Sequence, residues 1–561
     1  MIDRPEDGAR PENGAAHSTL LTRRALLQTT ASLAAGAAFS ASSSLASARK
    51  GDSFDVDAAF ATFMADIGGT PQDGGGKVIF TGRDPILRSH FRIGTSMALP
   101  AMAAGVGAAA IWRQRTGEGQ DVAVDLREAV YNVNPILTPI MQHRLASGAV
   151  PPNDPVARSF TFTPTINGNL YQAPVGLGNP FSFVPFRTKD GRFMNITAVY
   201  PHLNTRALTL LDCPPTREAI AAAVARWDGE KLEAAMFERG VVGVMHRTAE
   251  EWLAHPEGAH LAKTRLIEIR KVADGEPLRW TPNPTQPLSG LKVLALTHVI
   301  AGSTAARTLS EYGAETLQIM RDQSFEHEVV WTDVNIGMRS ANLNLQQPEH
   351  AAALNALIPQ ADVFIDSFSG RGIERQGFGI DEVTKRRPGV IYLTLRGYSW
   401  DGPWKDVRTF DMEAVSTTGF TIAEGSGSRP GFGPSYADAL GEGPLPAFPP
   451  TLVLNDYIAG YLAAAGVIAA LRRRAAEGGS YHVHVNLARA AMWYASLGMF
   501  PSTDFEVTDE NRMIAPRTIR FTSPYGEVHR LAPMVKLSRT PGRWQQPLLT
   551  VRGSDRPVWQ G

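Results

Sequence analysis

The 561-residue chain balances 55 lysines and arginines against 55 aspartates and glutamates, which removes any argument for a nucleic-acid partner from net charge. An apolar content of 43% fits an ordinary globular protein, with room for about two to four domains. A single cysteine excludes an internal disulfide and a cysteine-rich metal site. That residue, Cys213 in LLDCPPT, reads as a small buried hydrophobe.

In chain order, residues 1–48 read as a leader: Arg23-Arg24, a mildly apolar Ala-rich stretch and an Ala46-Ser47-Ala48 cleavage site, the layout of a twin-arginine export signal. The alternative is an Ala/Ser-rich leader from a misassigned start codon. The stretch is too short and too rich in Ser and Thr to remain as a membrane span. Residues 49–85 are polar and Gly-rich, a poorly bounded lead-in. Residues 86–285 open on a small-residue helix, a Gly-containing turn and a V-x-V-x-L strand. A Pro/Asn/Gly-rich loop follows over 146–180, then a hairpin turning at Asp190-Gly191 and helices over about 201–212 and 216–237. Pro-rich 278–288 is the clearest linker.

Residues 286–500 have the alternating texture of a parallel sheet covered by helices: LKVLAL, ETLQI, ADVFID and GVIYLTL are short apolar strands separated by helical or polar stretches. The expected fold is α/β, a Rossmann-like parallel sheet with helices on both faces plus a smaller α+β domain, with residues 501–561 as a tail packing on the fold. The loop after LKVLAL, THVIAGSTAA, includes Ile300 and Ala301 and has small residues where ligands dock on such sheets. It lacks G-x-G-x-x-G, so a dinucleotide is poorly supported. The apolar run 457–471 reads as a buried helix, and Arg472-Arg473-Arg474 as its solvated end.

This helix repeats the earlier one. Residues 103–131 align without a gap on 464–492, with 12 of 29 positions identical, among them Gly105/Gly466, Val122/Val483 and Leu126/Leu487. Eight residues upstream the copies diverge, Asp456 standing where the other has Thr95. The pattern implies one working site and one retired or structural half. A helix start is expected to lower the pKa of Asp456 and keep it ionised, beside the small Ala459 and Gly460. An ionised carboxylate there, approachable by a large substrate, is a candidate nucleophile; on local features alone an N-cap is the simpler reading. His482 and His484 share a strand face without a third ligand nearby in sequence, so no metal is expected.

Together these segments resemble the family III CoA-transferases. The carriers are PLSGLKVLALTHVIAGSTAARTLSEYGAETLQI, SFSGRGIERQGFGIDEVTKRRPGVIYLTLRGYSWDGPW, TFDMEAVSTTG and LNDYIAGYLAAAGVIAALRRR, over roughly 287–495. The first repeat copy with PFRTKDGRFM and the helices to about 270 resembles the family's C-terminal half, so the halves stand in swapped order. By position the resemblance implies that Asp456 is the nucleophile and that Arg321 and Arg408 are CoA-contacting cations. It likewise implies that Phe410 and Asp411 are an aromatic–acid pair beside the site, and that Ile300 and Ala301 lie in the CoA-binding loop. Two departures stand out. Ile300 replaces the Gln of oxalate-type enzymes, which argues against oxalate or formate. Ser367-Phe368-Ser369-Gly370-Arg371 replaces N-F-R-P-G, displacing a basic contact. Phe410 stands where racemases of the group carry His, which weakens an acyl-CoA racemase reading.

The implied function is CoA transfer between an acyl-CoA and a carboxylic acid, with coenzyme A as substrate and no other cofactor. The alternative is a non-catalytic CoA-binding or interaction protein on the same scaffold. Expected partners are those small molecules, with a homodimer left open and neither nucleic acid nor a retained membrane span. The export signal points to the periplasm and the chemistry to the cytoplasm. The Gly-rich loops GLGNP and EGSGSRPGFG are candidate covers.

Overall fold

Both copies of the repeat fold alike, and they fold against each other. In the computed structural model, which describes residues 54–560 except 135, 171–178, 322–325 and 427–445, the copies form the helices Ile93–Thr116 and Asn455–Glu477. Strands Gln120–Asp125 and Ser480–Asn486 follow them, each leading directly into a further helix. The two long helices are Ala/Gly-rich and buried, so packing rather than an amphipathic stripe stabilises them. They cross at aligned positions: a Cβ on Gly107 would lie 2.6 Å from Ile468 Cγ2. A Cβ on Gly105 would lie 3.1 Å from Val122 Cγ1, and one on the equivalent Gly466 would lie 2.8 Å from the equivalent Val483. The equivalent glycines thus serve the same helix–strand contact within each copy. The Ile93–Thr116 helix is long and apolar enough to cross a membrane, yet its most apolar window is 100% buried in the fold.

The main sheet has seven strands in the order Arg339–Asn342, Glu315–Met320, Lys292–Leu296, Val363–Asp366, Ile391–Arg396, Ser480–Asn486 and Glu268–Ala273. All pairs are parallel except the last. Alternate residues serve opposite faces. Val293, Ala295, Val363 and Ile365 pack against helices Ala301–Glu311 and Asn455–Glu477, while Leu294, Leu317, Phe364 and Tyr392 meet helices Pro348–Leu357 and Ile380–Arg386. This is the expected α/β arrangement. A hairpin turning at Asp190-Gly191 pairs Phe186–Arg187 with Phe193–Ile196, and Gly243–Met245 joins them in a small sheet with its own core.

The first copy of the repeat carries only the end of such a sheet. Gly75–Thr81 pairs parallel to Gln120–Asp125, which pairs antiparallel to Lys536–Leu537. This is the order and sense of Ile391–Arg396, Ser480–Asn486 and Glu268–Ala273. The edge strands are exchanged: 268–273 follows the first copy and closes the second, and 536–537 follows the second and closes the first.

Several expectations are corrected. The lead-in is structured, with helix Val56–Asp66 and strand Gly75–Thr81, because its strand pairs with the repeat. The helix expected over 216–237 is two helices, Arg217–Val224 and Gly229–Arg239. The tail forms an antiparallel pair, Thr518–Ser523 with Gly526–Leu531, which also takes in Thr165–Ile166 from the expected loop. The arginine run is no solvated end: Arg474 is 3% exposed and bonded to Asp362, Arg472 pairs with Asp73, and Arg473 donates to the Ile67 carbonyl. The proposed leader lies outside the described residues, as do most of GLGNP and of EGSGSRPGFG.

Candidate active site

Asp456 is the second residue of its helix, and it is not the cap. The Leu454 N–H (3.1 Å) and the Asp456 N–H (2.8 Å) both donate to Asp411 Oδ2, so the cap comes from the start of helix Asp411–Thr417. Asn455 Nδ2 donates to the Leu487 carbonyl and ties this helix start to the end of strand Ser480–Asn486. Relieved of capping, the Asp456 carboxylate lines a cavity of about 270 Å³. Among the described residues no donor is bonded to it.

Its surroundings are acidic. Asp411 Oδ1 has no partner among the described residues. Glu413 is fully buried, accepting from the Phe410 N–H (3.0 Å) and from Asn195 Nδ2 (2.6 Å). Burial pushes the Glu413 carboxyl up to about 7 and raises that of Asp411. Asp456 is raised well above the usual carboxylate range, first by burial and then by the charges of Asp411 and Glu413. This corrects the expectation of a lowered value: desolvation and two acidic neighbours outweigh the helix terminus.

The N-terminal half completes the site. Tyr200, Leu203 and Val242 line the same cavity, and the Tyr200 ring stacks on Phe410 at 5.7 Å and 20°. Tyr200 Oη donates to Glu326 Oε1 (3.1 Å), whose other oxygen accepts from the Val299 N–H (3.2 Å) and lies 3.3 Å from His298 Nε2. Glu326 thereby holds the loop that delivers Ile300 and Ala301 to the cavity wall, with Val299 at φ 62°. Sequence reading missed Tyr200, Glu326 and Glu413. Tyr200 and Glu326 sit in no motif, whereas Glu413 lies two residues after Asp411 within TFDMEAVSTTG; only the fold brings the three to the site.

A larger cavity, about 1020 Å³, adjoins the first at the C-terminal ends of the parallel strands, where Leu296, Met320 and Leu343 line it. Arg206, Arg321, Arg375 and Arg408 line it too, and both cavities share Tyr200, His202, His298 and Arg408. Arg206 and Arg408 converge on Gly240: a Cβ there would lie 3.4 Å and 3.3 Å from their respective Nη1 atoms. Partial burial and the guanidinium groups of Arg206 and Arg408 hold His202 below the usual imidazole value. Arg371 is absent from both linings; its guanidinium lies 4.5 Å from the Trp400 ring and donates to the Trp400 carbonyl. The cation of that segment in the larger cavity is Arg375. His482 and His484 lie apart from this site, buried and joined through the Thr394 hydroxyl at 2.7 and 2.8 Å.

In the other copy Asp84 takes the part of Asp411, accepting from the Gly94 N–H (3.1 Å) and the Thr95 N–H (2.7 Å). The Thr95 hydroxyl also donates to Asp84 (2.7 Å) and is 2% exposed. A cap and its hydroxyl occupy the place where the second copy keeps an unbonded carboxylate. One turn beyond Asp456 the helix presses on its neighbour: a Cβ on Gly460 would lie 2.6 Å from Thr304 Cβ and 2.8 Å from the Ala301 carbonyl oxygen. Gly460→Val is expected to cost about 1–3 kcal/mol through overpacking. Urea denaturation checks this, and an unchanged midpoint would contradict so close a crossing.

The model of CoA-transferase family III matches residues 48–279 and 288–547, and the chain belongs to that family. The break between the matches coincides with the Pro-rich linker. The chain is 30% identical over 330 residues to acetyl-coenzyme A transferase nodX of Hypoxylon pulicicidum, covering 55% of this chain and 53% of that protein. It is also 30% identical over 221 residues to the succinyl-CoA–L-malate CoA-transferase beta subunit of Chloroflexus aurantiacus, covering 36% and 49%. The chain thus spans about half the length of the curated relatives it matches. Among solved structures, a hypothetical protein from Mycobacterium tuberculosis is similar at 25% identity, with a TM-score of 0.33, over 38% of this chain and 57% of that one.

Proposed function

We propose that this chain transfers CoA between an acyl-CoA thioester and a carboxylic acid, with Asp456 as the nucleophile. The observation that carries this reading is a buried, unbonded carboxylate in a small cavity that opens into a larger one lined by four arginines. In the larger cavity Arg206, Arg321, Arg375 and Arg408 would hold the phosphates of CoA, and the thioester would reach past Tyr200 and His298 to Asp456. Phe410 stacked on Tyr200 forms part of the wall between them.

In the first step a carboxylate oxygen of Asp456 attacks the thioester carbonyl, the C–S bond breaks, and CoA leaves as thiolate with the bonding pair. The product is a mixed anhydride. The thiolate then attacks the aspartyl carbonyl, forming an aspartyl-CoA thioester and releasing the donor acid as carboxylate. The acceptor carboxylate reverses both steps and regenerates Asp456. No proton or electron is gained or lost over the cycle. Burial strips the carboxylate of water, which raises its reactivity and keeps the anhydride from hydrolysis.

The attacking form is the anion, so exchange is expected to rise with pH as Asp456 ionises. Its raised pKa places that rise above the usual carboxylate range. Glu413→Gln removes one of the two acidic neighbours that oppose ionisation, and the acid limb of the rate profile is expected to move to lower pH. CoA exchange measured from pH 4 to 8 in both proteins tests this. An unmoved limb would separate Glu413 from the titration, and absence of exchange with every acyl-CoA would refute the transferase reading.

A further inference from the structure

We propose that the acyl group handled at Asp456 belongs to a monocarboxylic acid with an apolar chain; this rests on the transferase reading above. The walls found only in the Asp456 cavity include the buried Leu203, Val242, Ile300 and Leu487. A second carboxylate on the acyl chain would need a cation there. Arg396 is already committed: it pairs with Asp366 Oδ2 at 2.6 Å, and its other terminal nitrogen donates to the carbonyls of Asp366 and Leu395. Lys405 lines the cavity from an exposed position, where water screens its charge. Arg408 lines the junction with the larger cavity, where the phosphates would draw on it. Among the described residues no further lysine or arginine lines this cavity; of its two histidines, His298 is paired with Glu326 and His202 is held below the usual imidazole value.

The fixed charges point the same way. Asp411 and Glu413 already oppose ionisation of Asp456, so the cavity sits beside an acidic cluster. A substrate carboxylate placed here would lose its water, find the neutral hydroxyls of Ser367 and Thr409 rather than a committed cation, and face like charges. An apolar chain meets none of these costs and buries its surface against aliphatic walls. The same selection falls on donor and acceptor, since each acid in turn occupies the one cavity beside Asp456.

Identity exchange tests this without knowledge of the natural pair. The protein is incubated with butyryl-CoA and ¹³C-butyrate, or with succinyl-CoA and ¹³C-succinate, two acyl groups of similar length that differ in the terminal carboxylate. Label entering the CoA thioester is followed by mass spectrometry. Butyryl exchange is expected to exceed succinyl exchange by about 100-fold, the scale on which an apolar pocket rejects an added polar group. Val242→Arg, which adds a cation to the wall, is expected to narrow that ratio; if the variant does not fold, the wild-type ratio still decides. Succinyl exchange equal to or faster than butyryl exchange overturns this inference and leaves the transferase standing. No exchange with any pair overturns both.

Discussion

Asp456→Ala is expected to lower CoA exchange by at least ~10³-fold, the scale on which removal of a covalent nucleophile is felt, while the fold persists. The side chain makes no hydrogen bond that the fold relies on, because Asp411 caps the helix in its place. Asp456→Asn is expected to be as inactive, since an amide oxygen cannot form the anhydride. Circular dichroism and denaturation of both variants would show near-native stability; relief of the buried charge would offset the small loss of packing. The control is Thr95→Ala in the other copy, where the hydroxyl is given to Asp84 and lines neither cavity. It is expected to cost some stability and leave exchange nearly unchanged. Full exchange in either Asp456 variant would remove the assignment.

Charge reversal in the arginine-lined cavity is expected to give the second largest effect. Arg408→Glu and Arg321→Glu should each weaken CoA binding about 10- to 100-fold, the worth of one or two charge-assisted hydrogen bonds. Arg408 has the stronger case, because it lines both cavities and meets Arg206 at Gly240, two like charges that an anion would relieve. The loss should shrink as salt is raised from 20 to about 300 mM, as the Debye length falls. Calorimetric titration with CoA at the two salt concentrations measures it. Unchanged affinity in both reversals would place CoA elsewhere.

The parts of this architecture legible in the sequence are those encoded by local pattern. The repeat showed because Ala/Gly-rich helices and V-x-V-x-L strands are distinctive over one short window. Asp456 stood out because one copy has an acid where the other has Thr95. The strands of the parallel sheet were readable as compact apolar runs. Long-range pairing was not. Gly75–Thr81 is half-exposed and opens on glycines, and it becomes a strand only because Gln120–Asp125 lies beside it. The fate of Arg472 and Arg474 was decided by Asp73 and Asp362, far away in sequence. The sign of the Asp456 shift depended on Asp411 and Glu413, more than forty residues upstream, which burial places beside it. Glu326 sits in DQSFEHE with no motif to mark it, and its part in holding the loop before Ile300 emerges only in three dimensions.

The most direct test of Asp456 as nucleophile is to trap the covalent enzyme. The full chain, incubated with butyryl-CoA and quenched with acid, is analysed by intact mass and then by peptide mapping. The expected result is a gain of one CoA less one water, located on the peptide containing Asp456 and lost when a carboxylic acid acceptor is added before the quench. A protein that exchanges CoA yet carries no adduct on that peptide, or carries it on another residue, would contradict the assignment.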